Sequence, residues 1–243
     1  MTDDPFRHHP GLRGLIEDPD TSFFRNFTTE EMDARVAEHG VGPGWRHSDA
    51  EREAFRQTAL AGRRGRDLWV FAYGSLMWNP AIRFEEARRA ILPGQSRRFI
   101  LLDTLGGRGT ADRPGVMAAL DRDPHGPGCH GLAFRIAADR LETETEILWR
   151  RERIAPAYHE SFLTAETDQG PIEVLAFTAD RGADMIVPDL PFDKQVEYAA
   201  TGTGFLGSSL DYLENLAAHF AELKIDDPDL ARLLHAARTY ARR

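Results

Sequence analysis

The chain has 243 residues, of which 42% are hydrophobic and 28% charged, a composition that fits a globular protein with one medium-sized domain and an extension. Its 30 lysines and arginines against 39 acids give a net charge of -9, which argues against a general nucleic-acid binder and favours a small-molecule partner. The single cysteine, Cys129, excludes an intramolecular disulfide and an all-cysteine metal site, and it favours a reducing compartment.

The first residues lack a basic segment followed by an apolar run, and no stretch of the chain approaches eighteen uninterrupted apolar residues. These features predict a cytoplasmic protein that is neither secreted nor bound to a membrane. The sequence leaves the oligomeric state open.

Residues 1–66 differ from the rest of the chain because their apolar residues are sparse and are interrupted by proline and glycine. Within this segment Thr28 with Glu31, and Ser48 with Glu51, have the spacing of capping boxes, which predicts two helix starts. The predicted helices span 29–39 and 49–61. We therefore expect an N-terminal helical extension.

From Leu68 onward, apolar runs recur with lengths typical of strands. The predicted strands span 68–73, 98–103, 116–121, 130–136, 161–166 and 173–179. One helical segment, 139–153, interrupts the series, and Asp139 with Glu142 has capping-box spacing at its start. The C-terminal third is helical, so a regular alternation of strand and helix is absent.

This order of elements predicts an α+β fold, in which about six strands close into a mixed β-barrel with peripheral helices. Closure would bury both faces and remove exposed strand edges. Because the apolar runs begin only at Leu68, we expect residues 67–243 to form a domain that folds without the extension 1–66.

The segment AYGSLMWNP at 72–80 carries the first candidate site, because an apolar strand there runs directly into Gly74 and Ser75. A glycine at a strand end lets backbone N–H groups approach a ligand closely, and consecutive amides can hold a carboxylate or an oxyanion. The alternative is an ordinary turn from strand to loop.

Glu152 is the second candidate, because helical geometry places it on the same face as Leu148 and Trp149. A carboxylate on an apolar face either has a charged partner or has a raised pKa, and the raised pKa suits proton transfer near neutral pH. The alternative is a structural ion pair with an arginine such as Arg113 or Arg151.

The loop GGRGTADRPG at 106–115 is a third candidate, since Arg108 and Arg113 lie among flexible glycines and could bind a carboxylate. The alternative is a surface loop with solvated arginines.

Gly202, Gly204 and Gly207 match the dinucleotide-binding pattern G-x-G-x-x-G, but the preceding segment is predicted to be helical and no strand leads into them. A turn between helices, with Ser208 and Asp211 capping the second helix, fits better. The histidines show no metal-ligand spacing, so no metal is expected. Because no strand precedes the three glycines, no nucleotide is expected either.

Taken in order, WVFAYGSLMWNP, GRGTADRPG, LWRRERIAPAY and GFLGSSLDYLENL resemble four blocks of the ChaC-like γ-glutamylcyclotransferases, over about 68–235. The resemblance implies a closed β-barrel with peripheral helices, no cofactor, and cleavage of glutathione into 5-oxoproline and Cys-Gly. It also implies that Glu152 is the catalytic residue. The substrate-binding residues that it implies are Ala72, Tyr73, Gly74, Ser75, Leu76, Met77, Arg108, Arg113 and Tyr158.

Two departures from the family pattern concern the substrate rather than the reaction. Ala72 stands where a glycine is common, and Arg153-Ile154-Ala155-Pro156 replaces a Met-containing, glycine-rich segment, which would stiffen and recharge the loop. Alternative functions are therefore a cyclotransferase for another γ-glutamyl amine or amino acid, and a non-catalytic module that binds a small molecule. A dinucleotide-dependent enzyme is a third alternative.

Overall fold

The fold was obtained as a computed structural model that describes residues 4–242. The helices in this part of the chain are α1 (Phe23–Asn26), α2 (Thr29–Ala37), α3 (Asp49–Ala59), α4 (Leu141–Glu152), α5 (Phe192–Thr201), α6 (Ser209–Leu223) and α7 (Pro228–Tyr240). The strands are β1 (Leu68–Ala72), β2 (Glu86–Leu92), β3 (Gln95–Leu105), β4 (Thr110–Arg122), β5 (Cys129–Ile136), β6 (Tyr158–Thr167), β7 (Ile172–Ala179), β8 (Thr203–Gly204) and β9 (Gly207–Ser208). None of the helices within residues 4–242 is long and apolar enough to cross a membrane.

Five strands form a closed ring in the order β1-β5-β2-β6-β7, and a parallel pairing between β7 and β1 closes it. Closure leaves no open edge among these strands, and their inward-facing residues, such as Val70, Phe134 and Leu175, are fully buried. The closed barrel with peripheral helices that the sequence predicts is therefore confirmed.

The barrel differs from the prediction in which strands form the closed ring. β4 joins β7 through the bridge Leu120–Thr178, and β3 pairs with β4, so both predicted strands continue the sheet outside the ring. Their place in the ring is taken by β2, which was not predicted. Arg88 and Arg89 interrupt its apolar pattern, and the Arg88 guanidinium lies 4.6 Å from the ring centroid of Trp69 on β1.

Both predicted helices of the N-terminal extension are present, with capping boxes in which Thr28 and Ser48 accept from backbone amides. The extension packs on α4, where Arg25 forms a bidentate ion pair with the buried Glu144 at 2.7 and 3.0 Å. Leu12 is fully buried in the main hydrophobic core. The extension thus contacts the helix that ends at Glu152.

The capping box predicted for α4 is wrong. The helix begins after a 3-10 turn at Ala138–Arg140, and its N-cap residue, Arg140, makes no side-chain cap. Glu142 instead forms an ion pair with Arg56 of α3 at 2.9 Å. The carboxylate of Glu142, which would have completed a local cap, therefore makes a tertiary contact instead.

The three glycines of the apparent dinucleotide motif form a tight turn between α5 and α6. A Cβ at Gly204 would lie 2.0 Å from the carbonyl oxygen of Gly106, and Gly207 has a φ of +94°. Ser208 and Asp211 form the predicted capping box of α6. A helix rather than a strand leads into the turn, as the sequence predicts.

Candidate active site

A cavity of about 190 Å³ lies where β1 ends and the polypeptide turns away from the barrel. It brings together six of the residues predicted from the sequence, although they come from three separate segments of the chain. These residues are Tyr73, Gly74, Ser75, Leu76, Glu152 and Tyr158.

The loop after β1 lines the cavity and carries backbone N–H groups without an intramolecular acceptor in the described part of the chain. A short 3-10 turn at Ser75–Met77 follows the strand, and in residues 4–242 the amides of Gly74, Ser75 and Leu76 have no hydrogen-bond acceptor. Free amides that line a concave surface can bind a carboxylate or an oxyanion. The loop therefore offers an anion site made of main-chain donors.

Gly74 is required at this point by its neighbour on α6. A Cβ at position 74 would lie 2.5 Å from the hydroxyl oxygen of Tyr212, closer than side chains tolerate. Tyr212 is buried, and its hydroxyl accepts from the amide of Ala118 at 3.2 Å. The loop and α6 are therefore packed too closely for any side chain at this position.

Glu152 lies at the carboxyl end of α4, with its side chain only 13% exposed. Its Oε1 is 2.9 Å from Nε of Arg151, the neighbouring residue. Burial nevertheless raises the pKa of Glu152 above its ordinary value, and the attraction of Arg151 only partly opposes this. The two interpretations of Glu152 thus coexist, since the carboxylate has a charged partner and is still easier to protonate than usual.

Arg151 connects the end of α4 to the loop after β1. Its guanidinium donates to Oγ of Ser75 at 2.8 Å and also to the carbonyl of Asn79, and it lies 4.2 Å from the ring centroid of Phe24. A planar guanidinium with several fixed partners holds a definite orientation. Arg151 therefore sets the position of Glu152 relative to Ser75.

Three tyrosines, Tyr73, Tyr158 and Tyr212, line the same cavity as Glu152. Tyr73 donates to the carbonyl of Phe177 at 2.9 Å. Burial raises the pKa of both Tyr73 and Tyr158 well above the ordinary value, and the nearby charge of Glu152 raises both further. Burial likewise raises the pKa of Tyr212 to about 12. All three hydroxyls therefore stay protonated near neutral pH, and those of Tyr158 and Tyr212 can donate to a ligand.

The other predicted binding residues do not line this cavity. Ala72 and Met77 are fully buried in the hydrophobic core. Arg108 is buried beside the cavity, where it donates to the carbonyl of Ser208 at 3.0 Å. Arg113 lies at a different surface depression, next to Glu197.

The sequence interpretation missed several residues that the fold brings to the cavity. Asp103 lines it, and burial raises the pKa of this carboxyl, although the amides of Arg108 and Leu105 donate to it. Tyr212 also lines it; the segment GFLGSSLDYLENL contains this residue, but nothing in the local sequence indicates that it reaches the cavity. The side chains contributed by α1, α2 and the segment after α2 are Phe24, Met32, Val36 and Trp45.

The arrangement is suited to proton transfer and to binding an anion. Across residues 4–242, no group of three or more histidine, cysteine, aspartate or glutamate side chains is placed to hold a metal ion. The chemical groups that the cavity does offer are one carboxylate with a raised pKa, tyrosine hydroxyls and free backbone amides.

Comparison with known sequences shows the family to which the chain belongs. The sequence model of the ChaC-like proteins matches residues 68–240, which is most of the chain. The chain belongs to the ChaC-like family. The family model covers all seven strands of the main sheet and the cavity loop, and it leaves α1–α3 outside.

Two curated proteins illustrate how similar this ChaC-like chain is to its relatives. The glutathione-specific γ-glutamylcyclotransferase of Escherichia coli is 35% identical over 168 residues, which cover 69% of this chain and 71% of that protein. The human glutathione-specific γ-glutamylcyclotransferase 1 is 29% identical over 179 residues, covering 71% and 79%.

A solved structure supports the same fold. The crystal structure of a γ-glutamyl cyclotransferase specific to glutathione from yeast superposes with a TM-score of 0.65 at 19% identity, and covers 72% of this chain and 97% of that one. At this identity the similarity concerns the fold of the ChaC-like domain.

Proposed function

We propose that the protein is a glutathione-specific γ-glutamylcyclotransferase, a lyase that converts glutathione into 5-oxoproline and Cys-Gly. The observation that carries this proposal is the juxtaposition, in one cavity, of the Glu152 carboxylate with its raised pKa and the free amides of Gly74, Ser75 and Leu76. Family membership and the glutathione-specific relatives support the same reaction.

The γ-glutamyl group supplies its own nucleophile, because its α-amine can reach the γ-carbonyl and close a five-membered lactam. An enzyme that holds this group folded removes much of the entropic cost of ring closure. In the proposed complex the amides of Gly74 to Leu76 bind the α-carboxylate or the oxyanion, and Tyr73 and Tyr158 shape the remaining surface.

Proton transfer is assigned to Glu152. As a carboxylate it takes a proton from the α-ammonium, and the free amine then attacks the γ-carbonyl carbon. As a carboxylic acid it returns the proton to the departing nitrogen, and the original amide C–N bond breaks. After the attack, the α-nitrogen loses a second proton to Glu152, and the released amine takes this proton as well. Two protons therefore leave the α-ammonium and two reach the released amine, so Glu152 ends the cycle as a carboxylate.

A raised pKa suits both halves of this cycle, because a carboxyl group with an ordinary pKa is a weak proton donor near pH 7. Arg151 keeps the carboxylate oriented towards the loop, and its two other acceptors fix it in place. Arg151 is therefore a positioning residue in this proposal.

A second candidate is the same chemistry on a different γ-glutamyl compound. Ile154 and Ala155, which replace the usual family segment after the catalytic glutamate, both line the cavity. Residues at this place border the substrate, so they can change which leaving group is accepted. The reaction type is unaffected by this alternative.

The proposed compartment is the cytoplasm. Cys129 is free and buried, as expected of a protein that folds under reducing conditions, and the proposed substrate is the reduced tripeptide. Cell fractionation with an antibody against the protein tests this part of the proposal, and recovery from the culture medium or a membrane fraction would contradict it.

The substrate assignment is tested by incubating the pure protein with a panel of γ-glutamyl donors and measuring 5-oxoproline. The panel contains glutathione, γ-glutamylalanine, γ-glutamylcysteine and a γ-glutamyl amine. We expect glutathione to have the highest kcat/KM. A higher value for another donor would favour the second candidate, and binding without turnover of any donor would favour a non-catalytic module.

A further inference from the structure

The N-terminal extension forms part of the wall of the cavity. Phe24 of α1, Met32 and Val36 of α2, and Trp45 after α2 line the same space as Glu152. All four precede the segment that the ChaC-like family model matches. The surface they provide is apolar, so this side of the cavity favours a carbon- or sulfur-containing side chain over a charged group.

Arg35 lies on α2 between these wall residues in sequence, and it is exposed. Its guanidinium carbon is 5.2 Å from the ring centroid of Phe205, which lines the cavity, and 5.4 Å from that of Phe23. Aromatic rings on two sides restrict where this charge can go. The cation therefore lies at the rim of the cavity.

Arg35 forms neither an ion pair nor a side-chain hydrogen bond with the rest of the chain from residue 4 to residue 242. The other cations around the cavity are already engaged, since Arg151 pairs with Glu152 and donates to Ser75, and Arg108 donates to a main-chain carbonyl. A guanidinium is well suited to a carboxylate, which it can bind through two parallel hydrogen bonds. Arg35 is thus an available carboxylate ligand at the rim.

The leaving group of the proposed substrate has complementary chemistry. Cys-Gly carries a small sulfur-containing side chain near the scissile bond and one carboxylate at its far end. The main-chain amides of the loop after β1 are assigned to the γ-glutamyl end, so the far carboxylate needs a separate cation. The cavity offers matching groups in the same order, because the apolar wall can contact the cysteine side chain and Arg35 at the rim can bind the terminal carboxylate.

We infer that the N-terminal extension builds the leaving-group subsite, and that Arg35 binds the C-terminal carboxylate of the departing peptide. The inference rests on the proposed function and narrows it to γ-glutamyl peptides with a free terminal carboxylate. Arg35 is a specificity-determining residue in this account and takes no part in proton transfer.

The test compares two substrates that differ only at this carboxylate, glutathione and its glycyl monoethyl ester, using the full-length protein and an assay for 5-oxoproline. For the wild-type protein we expect kcat/KM to be about tenfold higher for glutathione than for the ester. Arg35→Gln should lower kcat/KM for glutathione about tenfold, through KM, and leave the value for the ester unchanged. For glutathione, the kcat/KM of Arg35→Lys should lie between the values of the wild-type protein and of Arg35→Gln.

Arg122→Gln is the matched control, because Arg122 is also exposed and lies at a different surface depression. This substitution should leave kcat/KM unchanged for both substrates. Equal losses for both substrates in Arg35→Gln, or no loss for glutathione, would overturn the role of Arg35 while leaving the cyclotransferase assignment intact. Failure of the wild-type protein to form 5-oxoproline from either substrate would instead overturn the proposed function.

Discussion

Replacing Glu152 by glutamine is the most informative single substitution in this protein. Glutamine keeps the size of the side chain and a carbonyl oxygen that can accept from Arg151, but it cannot take and return a proton. General acid–base catalysis contributes about 10²–10⁴-fold to a rate, so Glu152→Gln should lower kcat by about that factor. KM should change little, because the loop at Gly74–Leu76 still holds the γ-glutamyl group.

The structure also predicts the effect of this substitution on stability. The pKa of Glu152 is raised in the folded state, so its ionisation weakens folding as the pH rises from the unfolded pKa through the folded pKa. Glutamine removes that cost, and Arg151 keeps its bonds to Ser75 and Asn79. We therefore expect a loss well below the about 3–5 kcal/mol that follows when a buried ion pair loses one partner.

Glu160→Gln is the matched control. The Glu160 side chain is also 13% exposed and its Oε1 also lies 2.9 Å from the Nε of an arginine, Arg153, but it does not line the cavity. Steady-state kinetics and thermal melts on the same preparations should show near-normal kcat for Glu160→Gln and a large loss for Glu152→Gln. A folded Glu152→Gln protein with wild-type kcat would refute the reasoning.

Three further outcomes follow from the same geometry. Because the pKa of Glu152 is raised and the base must be ionised, the acidic limb of the kcat profile should rise with pH through a midpoint above the ordinary glutamate value of 4.5, and a midpoint at or below 4.5 would contradict this. Gly74→Ala places a Cβ against the hydroxyl of Tyr212 and should reduce both Tm and activity; adding Tyr212→Phe should restore part of the Tm, and purely additive effects in the double mutant would count against this contact. Removing the N-terminal extension should leave a folded chain with a lower Tm, since the buried Leu12 and the ion pair between Arg25 and Glu144 are lost; insoluble protein would show that residues 67–243 need the extension to fold.

The sequence predicts the elements whose signals are local. Capping boxes at Thr28, Ser48 and Ser208 correctly give the starts of three helices, because both partners of each box lie within four residues. β2 was missed because it carries charged residues that are satisfied by neighbours on other strands, as in the contact between Arg88 and Trp69. Such contacts are invisible until the ring of strands has closed.

The same distinction applies to the candidate site. Glu152 and the loop at Gly74 could be proposed from helical periodicity and from the composition of a strand end, which are properties of short segments. Tyr212 and the wall residue Phe24 could not, because they reach the cavity only through the packing of distant helices. Arg113 shows the opposite error, since its loop adjoins the site while its side chain points to another surface depression.

The measurement that tests the central claim most directly is the reaction of glutathione in water enriched in oxygen-18. Intramolecular attack by the α-amine uses no water, so the account predicts equal amounts of 5-oxoproline and Cys-Gly, with no oxygen-18 in the lactam. Glu152→Gln should slow the appearance of both products equally. Formation of glutamate labelled with oxygen-18 would show that water is the nucleophile, and would contradict the cyclotransferase mechanism.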